Sequence, residues 1–199
     1  MKLFFKLNFL LFIILFIVSC TSEKKKIDEI NLKISVDKIK GKYAFFIHSK
    51  KWNMIKKYDY SNCDKKINLD FDTLFLDSMT QNIKKIFVNP SFYNRKLSEK
   101  EIKTGGYISQ VEILRTNGSL NFFYDNDYSH FFSKLKGIIS FRNSENFEYY
   151  KNSISVKSNF KKKNIFECEP YEVSEKTKIN SISEFLSVIN SQIYKIIEK

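Results

Sequence analysis

The chain reads as an α+β protein: a mostly antiparallel sheet with two amphipathic helices packed on one face. Three observations predict this. Apolar residues alternate with polar ones in several short stretches, at the period of a half-buried strand. Two longer stretches, Leu69 to Phe87 and Ser181 to Glu198, instead carry apolar stripes at helical spacing. No internal repeat or long linker divides the chain, so one core is expected.

The elements follow in order. Ile30, Leu32, Ile34 and Val36 alternate with polar neighbours and predict a first strand. Asp37 to Gly41 suits a turn, and Lys42 to Ile47 (KYAFFI) a second strand buried on both faces. His48 to Lys66 is polar and irregular, with Trp52 and Cys63 inside it. Phe71, Phe75, Met79, Ile83 and Ile86 then form the stripe of the first helix. Its charges run with the helix dipole: Asp70, Asp72 and Asp77 early, Lys84 and Lys85 late. Asp70 or Asp72 is a candidate N-cap. Phe87 to Tyr93 predicts a strand with Pro90 at an edge or bulge. Leu97 to Lys103 suits a short helical turn stopped by Gly105-Gly106.

From Tyr107 a meander is expected. Tyr107 to Arg115 reads as a strand, Asn117-Gly118 as a tight hairpin turn, and Leu120, Phe122 and Tyr124 as the alternation beyond it. Ser133 to Phe141 and Phe147 to Val156 predict two further strands around a turn at Asn143 to Asn146. Ser158 to Glu172 reads as a polar connection carrying Cys168. Ser181 and Glu184 fit a capping box opening the last helix, whose stripe is Ile182, Leu186, Ile189, Ile193 and Ile196.

Composition sets the broad class. An apolar share of 43% and an aromatic share of 16% belong to a folded chain. The formal charge of +12 points to anionic surfaces such as lipid headgroups, lipopolysaccharide or nucleic acid. The lysine runs at 24–26 and 161–163 read first as solvated linker or loop.

Motifs for chemistry are sparse. No Gly-x-Ser-x-Gly, phosphate-binding glycine loop or His-Glu-x-x-His occurs, so no enzyme, cofactor or metal is expected. A Cys63–His48 nucleophile pair is conceivable, but a thiolate enzyme would have to escape oxidation in an exported protein, which argues against it. Asp125-Asn126-Asp127 begins like a calcium loop, but His130 and Lys136 stand where Gly and Glu are needed. Asp70 and Asp72 read as helix-start residues before they read as an acid–base pair. The aromatics Phe122, Phe123, Tyr124, Tyr128, Phe131 and Phe132 read as core and cross-strand pairs, with an exposed docking face as the alternative.

The start of the chain carries the sharpest signal. Lys2 and Lys6 precede an apolar run from Leu7 to Val18, broken only by Asn8 and too short to span a bilayer comfortably. This segment resembles a bacterial lipoprotein signal, with Ile17-Val18-Ser19-Cys20 as its lipobox. The resemblance implies cleavage before Cys20, diacylglycerol on its thiol and acylation of the new amino terminus. Residues 1–19 are then a signal peptide, 20–28 a lipidated cysteine with a polar tether, and 29–199 a single extracytoplasmic domain. Export makes nucleic acid an unexpected partner. It also leaves Cys63 and Cys168 as an even pair in a compartment where a disulfide persists; two separate thiols are the alternative.

The order of elements is similar to that of small α/β lipoproteins serving envelope assembly, such as the accessory lipoprotein of the lipopolysaccharide-export barrel. The likeness lies in the helix from Asp70 to Phe87 after the first strands and the helix from Ser181 to Glu198 after the meander. It implies a non-catalytic accessory or scaffold, anchored through Cys20 and bound to an envelope protein complex. In a Gram-negative cell Thr21, lacking the aspartate that retains lipoproteins at the inner membrane, implies the outer membrane facing the periplasm. Direct binding of an anionic lipid, lipopolysaccharide or glycan through the basic surface is the alternative function.

Overall fold

The computed structural model describes residues 37–49, 72–124, 128–145, 148–163 and 170–198. The lipobox, Cys20, Cys63, Cys168, Trp52 and the expected strand from Ile30 to Val36 all lie outside them. Asp70, Phe71, the early lysine run and Asp125 to Asp127 do so as well.

Among the described residues, five strands make one sheet: β1 (Ile39–Ser49), β2 (Phe87–Tyr93), β3 (Ser109–Tyr124), β4 (Tyr128–Arg142) and β5 (Tyr150–Lys163). The helices are α1 (Asp72–Ile86), α2 (Glu99–Thr104) and α3 (Pro170–Ile197). The strand order is β2-β1-β3-β4-β5. The class is α+β as expected, but the sheet is mixed. β1 runs parallel to both β2 and β3, while β3–β4 and β4–β5 are antiparallel. The connections explain this: a helix intervenes between β1 and β2 and another between β2 and β3, and a helical crossover returns the chain in the same direction.

Helices α1 and α3 pack side by side on one face. Phe75, Met79, Ile83 and Ile86 of α1 meet Ile182, Phe185, Leu186, Ile189 and Ile193 of α3 in the main core, over Phe45, Val111, Ile113, Leu135 and Ile139 of the sheet. Asn82 and Asn190 exchange two side-chain hydrogen bonds, at 2.6 and 3.2 Å, within this apolar contact. Each satisfies the other's buried amide, which would otherwise cost free energy. The short α2 covers a corner of the opposite face, where Leu97 and Ile102 bury Ala44. With that second cover Tyr43, Ala44 and Phe45 are buried, whereas Lys42 is exposed and Phe46 and Ile47 are half-buried, so the two-sided burial expected of Lys42 to Ile47 holds only at its centre.

Several local expectations hold. Pro90 lies in β2, an edge strand, where its missing N–H disrupts no central ladder. Helix α2 stops at Gly105-Gly106, with Gly106 at φ +64°. Others are corrected. Asp37 to Gly41 is not a free turn: β1 begins at Ile39, and the register slips between Ile39 and Lys42, where Gly41 takes φ +110°. A Cβ there would also sit 2.5 Å from Ile108 Cδ1.

Asn117-Gly118 does not form a hairpin turn. The strand runs through it, paired Asn117 with Lys136 and Gly118 with Leu135, and Gly118 is not among the positive-φ glycines. The Asn117 side chain accepts the Gly118 N–H at 2.7 Å. The ladder slips between Arg115 and Asn117, leaving Thr116 as an extra residue. That bulge reverses which residues face the helices. Val111, Ile113 and Arg115 are buried before it, Gly118 and Leu120 after it. Without the bulge Leu120 would turn to the open face. A hairpin at 117–118 would also forfeit the pairing that buries Phe131 and Leu135.

The chain beyond β4 differs in two places. β5 continues to Lys163, so Ser158 to Lys163, including the second lysine run, is strand and not loop. Helix α3 begins at Pro170, and proline is suited to a first helical turn. Ser181 therefore lies inside the helix, fully buried, its hydroxyl donating to the Thr177 carbonyl at 2.8 Å. The capping box forms at another Ser-x-x-Glu instead: Ser98 Oγ accepts from Glu101 N, and Glu101 accepts from Ser98 N at 2.7 Å.

Candidate functional site

The face of the sheet away from α1 and α3 carries the polar residues that a ligand or partner would meet. At one end, beside α2, side chains from β3, β4, the loop before α2 and the segment before β5 converge. They build a shallow cavity of about 250 Å³ lined by Lys96, Gln110, Glu112, Ser140, Arg142 and Glu148. Cavities that enclose a small molecule usually start near 300 Å³.

The bonding shows what these residues do. Gln110 accepts the Leu97 N–H at 3.0 Å and donates to the Arg95 carbonyl at 3.3 Å. Arg142 donates to Gln110 Oε1 at 3.1 Å and to the Leu97 carbonyl. Together they tie the loop entering α2 to the sheet. Glu112 lies between Lys96 Nζ at 2.7 Å and His48 Nε2 at 2.8 Å, and the His48 ring stacks on Phe46 at 4.2 Å. Burial pushes the Glu112 carboxyl up, but Lys96 and His48 together outweigh it and hold it below its ordinary value of 4.5. A carboxylate, an imidazole and an ammonium are thus brought together, each with a partner.

A depressed carboxyl stabilises the fold above its unfolded value, and that contribution is lost as pH falls through the folded value. Acidification from pH 5 to pH 3 is therefore expected to lower the melting temperature of the native chain more than that of Glu112→Gln. Equal losses in the two proteins would show that the Lys96–Glu112–His48 cluster does not stabilise the fold.

Nearby, Tyr93 and Tyr107 share a hydrogen bond between their hydroxyls. That bond raises Tyr93, while a hydrogen bond from Ser91 and the bond to Tyr93 lower Tyr107. Lys42 donates to the Gly105 carbonyl at 2.6 Å and sits 4.8 Å from the Tyr107 ring centre.

The other expected site residues fall as follows. His48 is engaged with Glu112, and its suggested partner Cys63 lies outside the described residues. Asp72 opens α1 and pairs with the buried Arg115, so its role is in the fold. Of the aromatic cluster, Phe131 is core, whereas Phe132 is 40% exposed, so these two neighbours divide between the two faces. No group of His, Cys, Asp and Glu is placed to hold a metal ion among the described residues. None of the described helices is long and apolar enough to cross a membrane. The Gln110–Arg142 clamp carried no sequence signal, because its members are 32 residues apart and meet only through β3–β4 pairing.

A helix-backed mixed sheet of this form is found in solved bacterial proteins. The fold is similar to that of a neuraminyllactose-binding hemagglutinin homolog from Helicobacter pylori, with a TM-score of 0.55, 8% identity, and coverage of 85% of this chain and 92% of that one. A lower TM-score of 0.43 relates it to rare lipoprotein B from Shewanella oneidensis, at 8% identity over 77% of this chain and 98% of that one. A minor lipoprotein from Acinetobacter baumannii has a TM-score of 0.39 at 8% identity, over 78% and 92% of the two chains. The first likeness establishes the fold alone; the scores of the other two are too low to carry an argument. No protein-family model matches the chain, and no curated protein is similar to it in sequence.

Proposed function

We propose that the chain is a lipid-anchored envelope protein that acts without catalysis, as an accessory or scaffold held at a membrane through Cys20. The lipobox Ile17-Val18-Ser19-Cys20 behind a positively charged apolar start carries this reading. The polar cluster beside α2 supports the non-catalytic part, because its side chains are spent on one another and on the backbone of the α2 loop. In a Gram-negative cell the anchor would hold the domain at the outer membrane, facing the periplasm, next to an envelope protein complex.

Radiolabelled palmitate is expected to enter the native chain and not Cys20→Ser, and the substituted chain is expected to remain unprocessed. Label in both, or unchanged processing, would remove the anchor. Crosslinking in the native envelope is expected to recover the chain with a defined set of envelope proteins. Recovery of the chain alone would remove the scaffold role.

A second reading rests on the charge of the sheet's open face: the domain binds an anionic lipid or acidic glycan directly. The Helicobacter pylori protein of similar fold is described as a homolog of a neuraminyllactose-binding hemagglutinin, and neuraminyllactose is an acidic sugar. On this reading, retention of the chain by immobilised phosphatidylglycerol or sialylated glycan falls steeply as salt is added. Retention that is absent, or insensitive to salt, would exclude it.

A further inference from the structure

The lysines of β4 and β5 are arranged at a cost. In the antiparallel register Lys134 stands directly opposite Lys157, and His130 opposite Lys161. Lys136 and Lys163 follow at alternate positions on the same face, because residues two apart share a side of the sheet. Like charges directly opposed across a strand pair destabilise it. Lys134, Lys136 and Lys157 make no ion pair among the described residues. The adjoining positions of β3 are Asn117, Ser119 and Asn121, which are neutral.

An open groove of about 470 Å³ runs through this region, lined by Ser119, Asn121, Phe132, Lys134, Lys157 and Asn159 among others. Phe132 stands exposed inside the lysine array, opposite Asn159. Further along, the Lys161 ammonium lies 3.9 Å from the centre of the Tyr128 ring. Cations that repel each other, amide and hydroxyl donors between them, and an aromatic side chain 40% exposed thus share one strip.

We propose that this strip docks on a bilayer containing anionic phospholipid, an inference that rests on the second reading above. Lipid phosphates relieve the Lys134–Lys157 repulsion, Asn121, Ser119 and Asn159 donate to headgroup oxygens, and Phe132 enters the boundary between headgroups and acyl chains. Both halves of the strip suit that surface, which attracts basic residues electrostatically and accepts aromatic ones. A dissolved phosphate uses the lysines and leaves Phe132 idle.

The test is amine-reactive footprinting of the full-length chain in vesicles of phosphatidylcholine, with and without phosphatidylglycerol. Lys134, Lys136 and Lys157 are expected to label about threefold less, or lower still, when phosphatidylglycerol is present, and to regain labelling in high salt. Lys176 and Lys195, exposed on α3, are expected to label equally in both. The double variant Lys134→Gln/Lys157→Gln is expected to lose the protection of Lys136 without a fall in melting temperature, since the repulsion is gone. Equal labelling in the two vesicles, protection centred on α3, or protection retained by the double variant would overturn the inference. So would the same protection from inorganic phosphate alone, since the occupant would then not be a bilayer. Salt-sensitive retention on phosphatidylglycerol without protection of these lysines defeats this docking strip and leaves the second reading standing; loss of retention defeats both.

Discussion

Asp72→Ala is expected to destabilise the domain by about 3 kcal/mol, because it removes a carboxylate from a buried guanidinium. Arg115 is 1% exposed, and its Nη2 is bonded to Asp72 Oδ1. The guanidinium also lies 5.9 Å from the centre of the Phe75 ring. Asp72 further accepts the Ser49 hydroxyl at 3.1 Å, so the one carboxylate joins the first turn of α1 to β1 and β3. For a domain of this size the loss corresponds to a drop of roughly 6 to 12 °C in melting temperature. The double variant Asp72→Ala/Arg115→Met is expected to recover most of it, since an apolar side chain removes the charge left behind. Denaturant unfolding of both proteins checks this. A single variant within about 1 kcal/mol of the native chain would show that the pair does not hold the site together.

Phe185→Ala is expected to cost about 3 to 5 kcal/mol, the range for deleting a fully buried phenyl ring. Phe185 is 0% exposed and packs edge-on against Phe75, with ring centres 5.6 Å apart. Another neighbour is Gly137. A Cβ at Gly137 would stand 2.5 Å from Phe185 Cζ and 2.7 Å from the Leu114 carbonyl oxygen. The ring therefore occupies space that only a glycine in β4 leaves open. Gly137→Ala is accordingly expected to destabilise as well, by the 1 to 3 kcal/mol or so typical of overpacking. Combining it with Phe185→Ala is expected to cost less than the sum of the two, because the smaller residue at 185 frees part of that space. Strictly additive losses in thermal unfolding would show that the two residues do not compete for one volume.

These two contacts mark where sequence reading stopped. The stripe Phe75, Met79, Ile83, Ile86 and the stripe Ile182, Leu186, Ile189, Ile193 were both legible, and all eight residues are in the core. A helical period is local: residues three and four apart share a face whatever packs on it. Arg115 carried no such mark. Its burial comes from the bulge at Thr116, which joins two strand phases, and from Asp72 lying 43 positions earlier. The Ser-x-x-Glu motif makes the same point. It occurs at Ser98, at Ser109 and at Ser181, and the surrounding chain decides that only Ser98 caps a helix, while Ser109 opens a strand and Ser181 lies inside a helix. The polar cluster of His48, Lys96, Gln110, Glu112 and Arg142 was also unreadable, because its members come from four separate segments.

By itself the sequence determined the core faces of the two long helices, the alternation that marks the strands and so the α+β class, and the lipobox-like start, all read from neighbours within a few residues. Only the tertiary structure decided strand direction, the passage of β3 through Asn117-Gly118, the burial of Arg115 and the opposition of Lys134 to Lys157. Those depend on pairing between distant segments, where burying Leu120 and Phe131 outweighs the local preference of an Asn-Gly step for a turn.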